Sequence, residues 1–266
     1  LPWHGLHLTL VKLLVGCRAV IPRFILVMDA SFVAKSGRKT FGLGTFWNSC
    51  AGRSETGLEL SCIALMTRCG HHCFPISIRQ TRPKAEKADR LMQYLDQLRA
   101  LFRGHRTWLK AFCPMLVADG QYAKKIFFDL CHDEGITFIT KLDVNANLWI
   151  PFSGKHPKRR GRRQKWERKV DFCNFDGWTS VSGDEFERVW TRVVWAPHFE
   201  CFFRVVVIQN VDKTGKVLGH VVLASTDTSM PAAQIRALYS ARFQLEFVFR
   251  DAKQHAALTT CQLRSK

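Results

Sequence analysis

One stretch, residues 235–258, constrains the fold most strongly because it carries polar side chains at fixed helical intervals. At about 100° per residue, offsets of 0, 3, 7 and 14 residues place four of them within an arc of roughly 60°. Apolar residues flank this row on both sides, and Arg250 lies close beside it. The spacing therefore predicts one helix with a polar stripe embedded in apolar packing. The four stripe residues are Tyr239, Arg242, Glu246 and Lys253.

The stripe has two open interpretations. Arg242, Glu246 and Arg250 stand at i, i+4 spacing, which is typical of ordinary ion pairs on a partly buried helix. The spacing Y-x2-R-x3-E-x6-K also resembles the signature of bacterial insertion-sequence DDE transposases, the Tn5-like group of insertion-sequence family four. This resemblance implies that Glu246 is the third carboxylate of a catalytic triad. It also implies that Tyr239, Arg242 and Lys253 contact DNA phosphates near the cleavage site. Arg250, which lies beside the row, is a further predicted DNA contact.

The composition excludes a disordered chain and favours a polyanionic partner. Of the 266 residues, 47% are hydrophobic and 12% aromatic, so the chain can bury a large core. Forty Lys and Arg oppose 22 Asp and Glu, and the net charge of +18 indicates nucleic acid. Acidic membrane lipid is the competing partner, but no apolar run approaches the roughly 18 residues of a span. We therefore expect a soluble, cytoplasmic protein that associates with the bacterial nucleoid.

Two carboxylates stand at apolar strand sequences. Asp29 lies inside the run FILVMDASFV, where an unpaired charge is costly and metal ligation offsets its desolvation. The alternative is an Asp that ends a strand and opens a turn. A short apolar strand is predicted to end at Asp119, before a helix that begins near Ala123, so this carboxylate can face one from an adjacent strand across a cation. Its competitors for this second position are Asp129, Asp133 and Asp143.

Apolar periodicity predicts an amphipathic packing helix at 85–102 and strand-like runs at 35–47, 56–67, 192–199, 201–211 and 216–225. The order of predicted elements indicates an α/β fold with a ribonuclease H-like core. That core is a mixed five-stranded sheet with flanking helices, and the last helix carries Glu246. The transposase resemblance implies a β-rich insertion before that helix, in the long segment that follows the last core strand. The predicted divisions are a lead-in at 1–23, the core at 24–145, the insertion at 146–224 and the rest of the core at 225–266.

A basic run opens the predicted insertion. Residues 155–169 hold nine Lys or Arg and one Glu, which is typical of a mobile, solvated loop. The same charge would serve binding to a phosphate backbone, and we expect DNA contacts here. Four Trp of the insertion lie within or after this run, and most are expected in the core, although one could stack on an unpaired base. The predicted contact residues are Arg159, Arg160, Arg162 and Arg163, and the four tryptophans are Trp166, Trp178, Trp190 and Trp195.

Three carboxylates form the minimal cradle for two-metal phosphodiester chemistry. Two Mg²⁺ ions about 4 Å apart, or Mn²⁺ in their place, activate the attacking oxygen and stabilise the leaving one. The predicted ligands are Asp29, Asp119 and Glu246. The transposase resemblance implies strand cleavage and strand transfer on double-stranded DNA, at transposon ends and target, by a homodimer in the DNA complex. The alternatives are a ribonuclease H-like nuclease without strand transfer and an inactive remnant that only binds DNA.

The cysteines favour a reducing compartment. Ten Cys in this length fall below the density of a disulfide scaffold, and Cys62, Cys113, Cys131 and Cys201 have apolar neighbours typical of small core residues. The cluster from Cys69 to Cys73 suits a zinc pair only loosely, because no second pair supplies two more ligands. The absence of an initiator Met leads us to expect an internal fragment of a longer reading frame.

Overall fold

The computed structural model describes eight stretches of the chain, and the chain forms two compact units. The described residues are 9–13, 24–37, 40–48, 50–69, 72–83, 89–154, 163–181 and 183–259. The first unit comprises Leu1–Val117, Glu134–Ile136 and Ala241–Lys266, and the second comprises Ala118–Asp133 and Thr137–Ser240.

The first unit is built on a sheet of five strands. The strand order is β2-β3-β1-β5, and β4 also pairs with β3. The long β3 can serve both edge strands because β2 pairs with its first half and β4 with its second half. The strands are β1 (Phe24–Ala34), β2 (Gly44–Asn48), β3 (Arg53–Thr67), β4 (Cys73–Gln80) and β5 (Met115–Ala118).

Strand β1 is the central feature of this sheet, as its continuous apolar run predicts. Its first five residues are buried, and it pairs antiparallel with β3 from Phe24↔Thr67 to Ala34↔Gly57. Asp29 stands opposite Cys62 in this register. The alternative reading of Asp29, as a residue that ends a strand, is wrong, because β1 continues for five residues beyond it.

Strand β4 is absent from the sequence-based prediction. Its segment CFPISIRQ contains Pro75, which has no N–H to donate to a sheet ladder. The pairing of β3 with β4 shifts register between Ile63 and Ala64, and Ala64 is the partner of Pro75. This irregularity on an edge strand accommodates the proline.

Two long helices of the first unit lie within the described residues, in addition to the helical residues 9–13. The predicted packing helix is confirmed as α1 (Arg90–Phe112), whose Asp89 side chain accepts a hydrogen bond from the Leu91 N–H at 2.8 Å. It extends beyond the predicted end at residue 102, since buried Leu109 continues its apolar face after a kink at His105. The second of these helices is α4 (Phe243–His255), which is described with the site below.

The second unit contains an antiparallel sheet of seven strands. Its order is β6-β12-β11-β10-β7-β8, and β9 also pairs with β10. The predicted runs at 201–211 and 216–225 correspond to β11 and β12, whereas the run at 192–199 overlaps β10 only as far as Ala196. The strands are β6 (Thr137–Leu142), β7 (Trp149–Pro151), β8 (Trp166–Lys169), β9 (Thr179–Val181), β10 (Glu187–Ala196), β11 (Cys201–Val211) and β12 (Val217–Ser225).

Helices α2 (Lys125–Asp133) and α3 (Ala232–Ala241) complete the second unit, together with a short 3₁₀ turn at Gly120–Tyr122. Helix α2 packs Phe128 edge-on against Phe199 and Phe203, with ring centroids 5.8 and 6.0 Å away.

The predicted α/β class is confirmed by these sheets and their helices. The domain boundaries at residues 145 and 224 stay a prediction. Within the described ranges, no helix combines the length and hydropathy needed to cross a lipid bilayer.

Candidate active site

Asp29 presents a carboxylate from the middle of a buried strand. Its side chain is 14% exposed. The Asp29 Oδ1 accepts a hydrogen bond from the Ala30 N–H at 2.9 Å. Burial at this level makes a carboxylate costly unless a positive charge lies near it. The sequence-based expectation of a cation at Asp29 rests on the same argument.

The positive charge next to Asp29 is the guanidinium of Arg242. The Nη1 of Arg242 donates to Asp29 Oδ2 at 2.8 Å, and its Nη2 donates to Glu246 Oε1 at 3.2 Å. Arg242 is only 4% exposed, whereas the Glu246 side chain is 47% exposed. One buried cation therefore joins a carboxylate from β1 to a carboxylate from α4. The predicted i, i+4 ion pair between Arg242 and Glu246 is present, but Arg250 pairs with Asp251 at 3.3 Å.

The prediction of a single helix over 235–258 is wrong in its continuity. Helix α3 ends at Ala241, and α4 (Phe243–His255) begins two residues later. The backbone of Arg242 keeps helical angles, with φ −50° and ψ −32°, and its carbonyl accepts from the Leu245 N–H at 2.9 Å. This i to i+3 bond is the tighter 3₁₀ pattern, which interrupts the α-helical ladder at Arg242. Tyr239 thus belongs to the second unit, and Glu246 and Lys253 belong to the first.

Asp119 is held by Tyr239 within the second unit. The buried Tyr239 hydroxyl donates to Asp119 Oδ1 at 2.9 Å, and the Thr140 hydroxyl donates to the Asp119 carbonyl at 3.1 Å. The chain passes close to β6 here, and a Cβ on Gly120 would lie 3.2 Å from the Lys141 carbonyl oxygen. Glycine is the residue that permits this approach. Strand β5 ends at Ala118, one residue before the predicted end at Asp119, and β5 neighbours β1 in the strand order.

Lys253 and Arg250 differ in their surroundings. The Lys253 Nζ donates to Ser31 Oγ at 2.9 Å, and burial lowers the pKa of Lys253, which the nearby Cys50 partly opposes. Arg250 is exposed, and its guanidinium lies 4.7 Å from the ring centroid of Phe247.

Ser31 is a site residue that the sequence-based reasoning missed. Side chains two apart on a strand share a face, so Ser31 lies on the same side of β1 as Asp29. The two-residue alternation of side chains along a strand could have identified Ser31 from the position of Asp29. Its partner, Lys253, is 222 residues away in sequence, and no local pattern indicates that pairing.

The basic run and the tryptophans are described only in part. Arg159, Arg160 and Arg162 lie outside the described residues, and Arg163 is exposed. Most of the four tryptophans have ring partners in the second unit. Trp166 stacks on Trp195 with centroids 5.2 Å apart, Trp190 stacks on Phe175 at 5.0 Å, and Trp178 is buried. Two residues of the Cys69 to Cys73 cluster also lie outside the described part.

The donors of the first unit fit a divalent cation in their chemistry. Carboxylate oxygens are the ligands that Mg²⁺ prefers, and the carboxylates of Asp29 and Glu246 already bond one shared positive group. Across the residues that the structure describes, no three Asp, Glu, His or Cys side chains cluster closely enough to hold a metal ion. The triad of Asp29, Asp119 and Glu246 therefore stays a prediction.

A family comparison decides the broad class of the protein. The sequence model of the DDE superfamily endonucleases matches residues 3–198, about three quarters of the 266 residues. The chain belongs to the DDE superfamily endonucleases. It is therefore a DDE-type nuclease domain with an α/β, ribonuclease H-like fold. Nucleases of this type act on DNA and generally use divalent metal ions such as Mg²⁺.

The matched range bears on the site in two ways. It includes Asp29 and Asp119, and it ends before Tyr239, Arg242 and Glu246. Family membership thus stands independently of the Y-R-E-K spacing, and the narrower Tn5-like group rests on that spacing alone.

The comparisons with curated proteins and with solved structures do not narrow this family assignment. A search of curated proteins finds no match for this DDE endonuclease. Among solved structures, the NurA nuclease from Sulfolobus solfataricus is similar, with 9% sequence identity and a TM-score of 0.38. That alignment covers 82% of this chain and 73% of the other.

Proposed function

We propose that this DDE endonuclease is a transposase that cleaves DNA at the ends of an insertion sequence and joins the freed strand to a target. One observation supports the proposal most strongly. Asp29 from the central strand β1 and Glu246 from the late helix α4 contact the same buried guanidinium, although 217 residues separate them in sequence (246 − 29 = 217). A strand carboxylate and a late helix carboxylate at one point are what a metal-dependent DDE nuclease requires.

The proposed roles follow from the contacts. Asp29 and Glu246 would hold Mg²⁺, and Asp119 is the proposed third carboxylate on sequence grounds. Bound there, Mg²⁺ supplies Lewis acidity for the attacking hydroxyl and charge neutralisation for the leaving oxygen. Arg242 keeps the two carboxylates of the first unit oriented toward one point, and Tyr239 orients Asp119 through its hydroxyl.

The DNA contacts belong to the proposal as well. Lys253 carries an ammonium group at Ser31, on the β1 face that also bears Asp29, where it can neutralise a phosphate. Arg242 and Tyr239 are the further phosphate contacts that the Y-R-E-K resemblance implies, and the exposed Arg250 is a proposed contact because it lies beside them. The proposed substrates are the double-stranded DNA of the element's ends and of its target, bound by a homodimer at the nucleoid.

The test compares Glu246→Gln with Asp251→Asn, a matched loss of one negative charge on the same helix. Asp251 is exposed and pairs with its neighbour Arg250. Glu246→Gln should lower Mg²⁺-dependent nicking of a supercoiled plasmid by more than about 100-fold, because a metal ligand is lost. Asp251→Asn should nick at the parental rate. DNA binding in EDTA should be at least as tight for both variants, since each loses a charge that repels phosphate.

Strand transfer separates a transposase from a nuclease that only hydrolyses. A labelled duplex carrying the element's terminal repeats with a free 3′-hydroxyl should become covalently joined to a target plasmid. Nicking without joined product would indicate the hydrolytic nuclease, and DNA binding without nicking would indicate an inactive remnant. Parental nicking by Glu246→Gln would show that Glu246 is only an ion-pair residue.

A further inference from the structure

The face of β1 that carries Asp29 continues beyond the candidate active site. Side chains alternate along a strand, so Asp29 and Ser31 share one face, and Lys35 continues that order just past the end of the strand. Two residues cover about 6.6 Å along a strand. This step is close to the separation of neighbouring phosphates in one extended strand of nucleic acid.

Two lysine side chains are fixed at this face by their ammonium groups. The Lys253 Nζ, from α4, donates to Ser31 Oγ at 2.9 Å. The Lys35 Nζ donates to the Thr259 carbonyl oxygen at 2.7 Å, and the Thr259 hydroxyl donates to the Lys253 carbonyl at 3.1 Å. Three hydrogen bonds thus join β1, α4 and the residues that follow α4, and both ammonium groups belong to this one network.

Either lysine can bind a phosphate while it keeps the contact described. The acceptors in these two contacts are a hydroxyl and a carbonyl oxygen, which are neutral, and an ammonium group has three N–H donors. Of the two carboxylates on α4, Glu246 is a proposed metal ligand and Asp251 pairs with Arg250 at 3.3 Å. The ammonium groups therefore place positive charge next to the proposed metal ligands, where the DNA backbone has to lie.

The carboxylate of the paired strand β3 lies on the other side of the sheet. Within the stretch that pairs with β1, this carboxylate is Glu59, which stands opposite Phe32 and so lies on the face away from Asp29. Glu59 is 2% exposed, and Arg90 Nε donates to its Oε1 at 2.9 Å. The β3 positions opposite Asp29 and Ser31 are Cys62 and Leu60, which carry no formal charge that would repel a phosphate.

We propose that Lys35 is a DNA-binding residue and that the strand with the scissile phosphate follows the Asp29 face of β1. Lys253 then binds a phosphate next to the scissile one, and Lys35 binds a phosphate farther along, toward the end of β1. The order of these contacts follows the order of Asp29, Ser31 and Lys35 along the chain. The inference rests on the proposed metal site for the position of cleavage, and it applies to hydrolysis alone as well as to strand transfer.

Binding in EDTA tests this path apart from cleavage. The probe is a labelled duplex with the element's terminal repeats, in which a methylphosphonate neutralises one phosphate of the cleaved strand at a time. Lys35→Gln should weaken binding of the unmodified duplex about 3- to 10-fold at about 50 mM salt, and it should reduce the slope of log K against log salt concentration by about 0.9. It should also abolish the effect of the methylphosphonate at a single position near the scissile phosphate. Lys253→Gln should do so one or two positions closer to the scissile phosphate.

Three variants separate a direct contact from loss of charge and from loss of anchoring. Lys110→Gln removes one positive charge from α1, where the ammonium pairs with Glu134 at 3.5 Å, and it should bind every duplex as the parent does. Lys35→Arg keeps the charge and should keep the parental sensitivity to each methylphosphonate. Thr259→Val removes the hydroxyl bond to Lys253 but keeps the carbonyl that Lys35 bonds, so its affinity should be parental.

The outcomes distinguish the DNA path from the proposed function. The unfolding midpoint of Lys35→Gln should stay near the parental value, because the bond that it loses is exposed. Parental sensitivity at every position in Lys35→Gln, or an equal loss of affinity in Thr259→Val, would overturn the proposal, since Lys35 would then only anchor the residues after α4. Loss of sensitivity at one position, without any joined product in the strand-transfer assay, would support the path along β1 and refute the transposase.

Discussion

At the scale of single residues, Arg242 determines the charge balance around Asp29. A buried carboxylate that loses its cation is left uncompensated, and this costs far more than an exposed ion pair contributes. The Glu246 partner is half exposed and can be rehydrated, but Asp29 cannot regain full solvation. Most of the stabilising effect of Arg242 therefore comes from its bond to Asp29.

Replacement of Arg242 by Ala should lower the free energy of unfolding by about 3 kcal/mol. Urea denaturation measures this loss. Arg250→Ala is the control, because that exposed arginine should contribute less than about 1 kcal/mol. In the Arg242→Ala background, Asp29→Asn should restore part of the stability, since it removes the unpaired charge. Additive losses in the double variant would contradict a direct interaction between the two residues.

Thiol reactivity provides a second test at this scale. The prediction of core thiols is confirmed for Cys62, Cys113 and Cys131, which are buried, whereas Cys201 is half-buried. Burial raises the pKa of Cys73 to about 12 and that of Cys201 to about 12, so both stay protonated and unreactive near pH 8. The described cysteines that are exposed are Cys50, Cys69 and Cys173.

A native chain with Cys17 and Cys261 replaced by Ser should therefore expose three fast-reacting thiols to a disulfide reagent at pH 8. The other five should react only after denaturation. At pH 10 Cys73 and Cys201 should still react far more slowly than the exposed thiols, because a pKa of about 12 leaves only a small fraction of each as thiolate. Fast labelling of Cys73 in the folded protein would contradict the assigned burial.

At the scale of elements, apolar strands and helix periodicity were predictable, and pairings between distant elements were not. The run around Asp29 indicates a strand because burial on both faces selects continuous apolar residues. The bond from Arg242 to Asp29 spans 213 residues and depends on the packing of α4 against β1, which no local pattern encodes. The break at Arg242 was missed for a related reason. The helical spacing of polar and apolar residues continues through Arg242. A single 3₁₀ bond there interrupts the α-helical hydrogen bonds of the backbone without changing that side-chain spacing.

Glycines at two elements give an opposed pair of stability predictions. A Cβ on Gly57 would lie 2.5 Å from the Val33 carbonyl oxygen of the neighbouring strand, so Gly57→Ala should destabilise the β1 and β3 pairing by about 2 kcal/mol. Gly104 lies on the exposed face of α1, and a Cβ added there would meet no atom within 4 Å, so Gly104→Ala should stabilise by about 0.5 to 1 kcal/mol. Thermal unfolding of both variants distinguishes these effects. Equal shifts of the unfolding midpoint, with the same sign in both variants, would show that the contact with the Val33 carbonyl oxygen does not explain the need for glycine at position 57.

At the scale of the whole molecule, a net charge of +18 should make DNA affinity depend strongly on salt. Each phosphate contact contributes about 0.9 to the slope of log K against log salt concentration. The basic run at 155–169 supplies a large share of this charge in one segment. Its removal should therefore flatten the slope more than the removal of equal charge elsewhere.

The comparison uses two variants that each lose four positive charges. The first replaces four arginines of the basic run with Ala, and the second replaces four exposed basic residues of α1. These sets are Arg159, Arg160, Arg162 and Arg163, and Arg99, Arg103, Arg106 and Lys110. Fluorescence anisotropy of a labelled duplex, measured from about 50 to about 200 mM salt, gives both slopes. The slope of the first variant should decrease by up to about 0.9 for each phosphate contact that is lost, and the second variant should keep nearly the parental slope. Equal slopes for the two variants would show that the run acts only through net charge and makes no contact of its own with DNA.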